Sequence, residues 1–169
     1  MQAPGTIVIL NGPSSAGKST LAQATRKRMG PTCMAVSLDR LFAFAHPLHP
    51  LDWRLYATLT DATFAVAVTA ASAGFDVVVD MVFERRDCLD SARRALASLS
   101  HCYVAVTCPL DQLEAREQAR GNRPPGLARR QHAVVFHDAP YALELDTGRM
   151  AVDACAEQIA RLFAPRDQP

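Results

Sequence analysis

The sequence predicts an α/β fold in three layers, a mainly parallel five-stranded sheet with helices on both faces. Three observations carry this. Strand and helix patterns alternate along the chain, an apolar run at residues 6–11 enters a glycine-rich loop followed by an amphipathic helix, and a second apolar run, Phe75-Asp76-Val77-Val78-Val79-Asp80, ends in an acid. The 169 residues suit a single domain, 1–169, with a substantial core.

The strand candidates are residues 6–10, 34–38, 75–79, 102–107 and 143–146, and the helix candidates are 18–29, about 51–74, 87–98, 110–121 and 152–163. Right-handed crossovers place the loops after the strand carboxyl ends on one edge, where the active site is expected. The Ala- and Val-rich stretch 62–74 is too short to cross a bilayer and reads as a buried helix. Residues 121–140, with Pro124, Pro125, Gly126, Arg129 and Arg130, read as a mobile cover or lid over that edge.

The first loop, Gly12-Pro13-Ser14-Ser15-Ala16-Gly17-Lys18-Ser19, fits the pattern G-x-x-x-x-G-K-[ST] between a strand and a helix. A polyphosphate is densely anionic, and backbone N–H groups surround it only where side chains leave room, which Gly12 and Gly17 provide. Lys18 is expected at the β- and γ-phosphates, the Ser19 hydroxyl on Mg²⁺, and the opening of the helix aims its positive end at the anion. Thr20 is grouped with the nucleotide-facing run as a helix residue rather than a second metal ligand.

Net charge of +1 and a pI near 7.7 give no electrostatic case for a membrane or a long nucleic acid. Five cysteines (Cys33, Cys88, Cys102, Cys108, Cys155) are widely spaced without C-x-x-C, which reads as reduced thiols in a cytoplasmic protein rather than a disulfide framework or zinc site. The first five residues lack the charged and apolar regions of a signal peptide.

Beyond the loop, Asp39 falls where the second strand meets a helix, so it is either a helix N-cap or a carboxylate that accepts a proton from an acceptor hydroxyl. Asp80, after three valines, suits a Mg²⁺ carboxylate near the phosphates, and the alternative is a turn residue. Arg116, Arg120 and Arg123 share one face if the helix from Leu110 continues that far, positioned to clamp phosphoryl oxygens unless Glu114 and Glu117 hold them in surface ion pairs. Phe42, Trp53 and Tyr56 are either pocket lining or core. His46, His49, His132 and His137 lack metal-ligand spacing and receive no catalytic role.

The whole pattern resembles the chloramphenicol phosphotransferase family, small P-loop kinases that phosphorylate an antibiotic hydroxyl with ATP. The resemblance spans nearly the full chain. It rests on residues 11–19, Ser37-Leu38-Asp39-Arg40-Leu41, Val77-Val78-Val79-Asp80-Met81-Val82-Phe83, the run 115–123, Gln131, His137 and the run 141–147. It implies a nucleotide kinase-like P-loop fold, Mg²⁺-dependent use of ATP on a small-molecule alcohol, Asp39 as general base, and Arg120 and Arg123 as cover arginines near the phosphates. Arg116 is a further candidate contact to the nucleotide. The chain departs from the family pattern at Asp80-Met81, where two acids are expected, and at Gly121-Asn122-Arg123, where Arg-Gly-Asp-Arg is common.

Two other functions stay open. One is a kinase of another acceptor, such as a nucleotide sugar in the manner of zeta toxins or a nucleic-acid end. The other is a nucleotide-dependent switch without transfer chemistry, although the Asn-Lys-x-Asp and D-x-x-G elements of GTPase switches are missing.

Overall fold

The computed structural model describes residues 3–45, 52–121 and 124–163. The elements in order are β1 (Ile7–Asn11), α1 (Lys18–Met29), β2 (Cys33–Ser37), α2 (Leu38–Leu41), a 3-10 turn (Phe42–Phe44), α3 (Trp53–Ser72), β3 (Asp76–Met81), α4 (Arg86–Leu96), β4 (His101–Thr107), α5 (Leu110–Arg120), α6 (Leu127–His132), β5 (Tyr141–Asp146) and α7 (Val152–Ala160). The five strands pair in the order β2-β3-β1-β4-β5, and every pairing is parallel. This is the α/β sheet that the sequence predicts.

The central strands are apolar because both their faces are covered. Side chains alternate across the sheet. Ile7, Ile9, Val77 and Val79 join one core with Phe64, Ala67, Leu89 and Leu96 of α3 and α4, while Val8, Leu10 and Val78 join the other with Leu21, Leu113 and Ile159 of α1, α5 and α7. Full burial of each such side chain contributes about 1.5–3 kcal/mol, so these alternating runs dominate the choice of register. Asp76 is 2% exposed at the start of β3, and its Oδ1 accepts the Thr6 N–H at 2.9 Å, joining two strand beginnings.

Three features differ from the sequence reading. Asp80 lies inside β3 rather than beyond its end, opposite Leu10 on one side and Ser37 on the other. Helix α3 is not buried all round. Its Asp52 cap accepts the Leu55 N–H at 2.8 Å, one stripe including Thr63, Phe64 and Ala67 packs on the sheet, and Ala65, Val66 and Thr69 face outward. Helix α6, of 6 residues, was too short to show a period, whereas α2, of 4 residues, is the helix expected at Asp39. Among the described residues, no helix is long and apolar enough to cross a membrane.

Candidate active site

The loop after β1 is shaped by its neighbours as much as by any ligand. A Cβ on Gly12 would lie 2.1 Å from the Val106 carbonyl oxygen of β4, so the glycine there is demanded by strand packing. Gly17, at φ 86°, occupies the left-handed region just before α1. Ser15 also stands at positive φ, 64°, which costs a residue with a Cβ about 1–2 kcal/mol. Its buried Oγ has no hydrogen-bond partner among the described residues.

The predicted loop residues divide into two groups. Ser14, Ser15, Gly17, Lys18, Ser19 and Thr20 line a cleft of about 1330 Å³, whereas Gly12, Pro13 and Ala16 lie behind it. The buried Lys18 ammonium donates to the Pro13 carbonyl at 2.8 Å, and the Ala16 carbonyl accepts the Thr147 hydroxyl at 2.8 Å. The loop's backbone thus holds its own lysine and is tied to the segment after β5.

Opposite Lys18, the Ser19 hydroxyl lies 2.5 Å from Asp80 Oδ2, and the Ser37 hydroxyl reaches the same oxygen at 3.2 Å. Asp80 is 5% exposed, so its carboxyl group is buried, with Oδ2 turned to the start of α1. Asp39 is not a helix N-cap. Ser37 holds that position and α2 begins at Leu38, which puts Asp39 in the first turn with its side chain exposed toward the cleft. Ser19, Ser37, Asp39, Asp80 and Arg120 share a hollow of about 310 Å³ beside the main cleft.

The arginines separate. Helix α5 ends at Arg120, where Gly121 turns left-handed at φ 64°, so the helical face does not run on toward position 123. Arg116 donates to the Thr147 hydroxyl at 3.2 Å and to its carbonyl at 3.0 Å, lining the cleft beside Gly17. Among the described residues, exposed Arg120 has no ion-pair partner. Arg123, His46 and His49 lie outside the described residues. Glu114 and Glu117 do not serve the α5 arginines. Glu114 takes Arg129 at 2.6 and 3.0 Å, and Glu117, 7% exposed, accepts the Gly126 and Ala128 N–H groups at 2.8 and 2.7 Å. Glu117 therefore caps α6 from another helix.

The described part of segment 121–140 is tied down at further points. Ser14 N–H donates to Gln131 Oε1 at 2.7 Å, Gln131 Nε2 donates to Glu84, and Arg130 reaches Glu84 at 3.4 Å. Fully buried Asn11 donates to the Val135 carbonyl at 2.9 Å and to the Tyr141 hydroxyl at 2.7 Å, and accepts the Phe83 N–H at 3.0 Å. Sequence reasoning gave Asn11, Glu84, Glu117 and Thr147 no such roles. Asn11 alone offered a local signal, an amide closing an apolar strand.

An aromatic wall faces the other half of the cleft. Phe42, Trp53 and Tyr56 all line it, with Trp53 edge-on to Tyr56 at 5.2 Å and Phe42 6.1 Å from Tyr56. The Tyr56 hydroxyl donates to the Val82 carbonyl, and burial, reinforced by nearby Cys88, Glu84 and Asp39, raises its pKa well above the ordinary phenol value. Tyr56 is thus a fixed neutral donor. The Arg85 guanidinium lies 4.9 Å from the Trp53 ring centre.

The profile of the family described as chloramphenicol phosphotransferase-like protein matches residues 5–164. A Mycobacterium tuberculosis H37Rv protein, named as a candidate O-phosphotransferase, is 30% identical, with 92% of this chain and 80% of that protein covered. Among solved structures, the M. tuberculosis APS kinase in complex with AMPPNP and APS superimposes with a TM-score of 0.78 at 19% identity, covering 95% of this chain and 98% of that one. Shikimate kinase from Acinetobacter baumannii in complex with shikimate gives 0.69 at 15% identity over 95% and 92% of the two chains. With a family match spanning nearly the whole chain, this protein belongs to the chloramphenicol phosphotransferase-like family of P-loop kinases.

Proposed function

We propose that this protein moves the γ-phosphoryl group of ATP, with Mg²⁺, to a hydroxyl of a small-molecule alcohol, chloramphenicol-like by family. The observation that carries it is the meeting of Ser19, Asp80, Asp39 and Arg120 around one hollow beside the phosphate loop. Nucleotide and metal also fit the residues present. The unpartnered, buried Ser15 hydroxyl suits a phosphate oxygen, and the Ser19–Asp80 pair is a hydroxyl and a hard carboxylate suited to Mg²⁺.

When bound, Mg·ATP supplies the transferable phosphoryl group and partial neutralisation of its charge. The loop amides and Lys18 hold the phosphates, with Arg116 and Thr20 on the flank. Ser19 and Asp80 hold the metal. Asp39 takes the proton from the acceptor hydroxyl, which it can reach because its carboxylate faces the cleft beside Asp80. Arg120 offsets negative charge developing on the phosphoryl oxygens, and Arg123 is proposed for the same task. Segment 121–140 is the lid, and its α6 limits water's access to the loop.

The acceptor lies against Phe42, Trp53 and Tyr56. A second acceptor class, a nucleotide or other anionic alcohol, is favoured by one feature, the position of Arg130 on the cleft wall. The reading places the protein in the cytoplasm, where its five free thiols stay reduced. Incubation with Mg·ATP and a panel of chloramphenicol, nucleosides, nucleotide sugars and a metabolite extract, followed by mass spectrometry, tests the proposal. A product one phosphate heavier that disappears with Lys18→Ala supports it and names the acceptor class. ATP binding without any product returns the chain to the switch reading.

A further inference from the structure

Gln131 lies 5% exposed in α6, yet it touches two distant parts of the molecule. Its Oε1 accepts the Ser14 N–H at 2.7 Å, across 117 positions of sequence, and its Nε2 donates to Glu84 Oε1, across 47. Glu84 lines the cleft with a side chain only 13% exposed, and Arg130 approaches both of its oxygens at 3.4 Å. One amide side chain therefore spans the phosphate loop and the segment that follows β3.

We propose that Gln131 is a positioning residue that locks the phosphate loop, the cover helix α6 and the carboxylate of Glu84 into one unit; its consequence for turnover rests on the phosphotransferase reading above. The Ser14 N–H precedes Ser15, whose left-handed backbone at φ 64° is unfavourable for a residue with a Cβ and must be held from outside. Gln131 supplies that hold, and with it the orientation of the unpartnered Ser15 hydroxyl. The residue type follows from the two contacts. An amide accepts at one atom and donates at the other, whereas a carboxylate would face Glu84 with like charge and an ammonium could not accept from Ser14. An acceptor that donates a hydrogen bond to Glu84 engages the carboxylate that orients Gln131, so occupancy of the acceptor half is transmitted to the loop holding the nucleotide.

A charge swap in the full-length protein tests this with two readouts, amide exchange of residues 12–19 without nucleotide and titration with Mg·ATP. Gln131→Glu sets two carboxylates against each other. It is expected to speed exchange in the loop and to weaken ATP binding about tenfold. Adding Glu84→Gln restores a donor opposite an acceptor, with the sense reversed, and should return both readouts close to wild type. If the double variant remains as impaired as the single one, the relay is overturned. Gln131→Met, which keeps the length and removes both hydrogen bonds, substitutes if Gln131→Glu fails to fold. Unchanged loop exchange in that variant also overturns the proposal. A wild-type protein that binds no ATP would instead defeat the phosphotransferase reading, and the exchange data would still decide the relay.

Discussion

The Ser19 hydroxyl and Asp80 Oδ2 stand 2.5 Å apart although 61 positions separate them in sequence. Their meeting is set by the sheet. β1 and β3 pair in parallel with Leu10 opposite Asp80, so the loop leaving β1 folds back over the carboxyl end of β3 and presents α1's second residue to the acid. Replacing Asp80 with Asn is expected to raise the Mg²⁺ concentration for half-maximal turnover by about 10- to 100-fold. Metal titration of the rate measures this, and an unchanged requirement removes Asp80 from the metal site.

Asp39→Asn keeps the shape of the first turn of α2 but cannot accept a proton. Transfer is expected to fall about 10²- to 10⁴-fold while nucleotide affinity holds. Steady-state rates alongside equilibrium titration with ATP separate the two. Loss of nucleotide binding in step with the rate would assign Asp39 to structure rather than to chemistry.

Glu117 accepts two backbone N–H groups at the start of α6. Glu117→Ala leaves both without a carboxylate, the Ala128 N–H in a buried place, and is expected to destabilise the protein by about 1–3 kcal/mol, with Glu117→Gln recovering part of the loss. Urea titration gives the magnitude. Limited proteolysis should show new cleavage within 121–140, and identical cleavage patterns would contradict the capping role.

Gly12→Ala drives a methyl group to 2.1 Å from the Val106 carbonyl oxygen. Because that neighbour is backbone of a central strand, β1 and β4 must separate, and a loss of about 1–3 kcal/mol or more is expected even without ligand. Full stability of this variant in denaturant would show that the glycine serves phosphate access alone.

Two buried thiols set an alkaline limit. Desolvation, then the charge of Asp87, raises the Cys88 pKa to about 11, and desolvation, then Asp76, raises that of Cys33 to about 12, both from 9.0. The folded state therefore keeps protons that the unfolded chain releases. Stability is undiminished below pH 9 and falls as pH rises from there through 11 and 12. Replacing Cys88 with Ala should flatten the pH dependence of the denaturation midpoint above pH 9, and an unaltered slope would rule out this thiol as its source.

Periodicity and motif order made much of this protein legible. Residues 6–10, 75–79 and 102–107 are apolar enough to read as central strands, and the glycine-rich loop between a strand and a helix fits the pattern of a phosphate-binding loop. Those signals are local, each contained in about ten residues. The sequence by itself thus determined the layered parallel sheet, its loop and the family. Only the tertiary structure decided that Gly12 is required by Val106, that Asp39 follows a Ser37 cap, that Glu117 serves α6 rather than the α5 arginines, and that Gln131 joins Ser14 to Glu84. Each of these depends on a donor and an acceptor, or two backbones, brought together from distant stretches of chain, and no pattern within either stretch encodes the other's position.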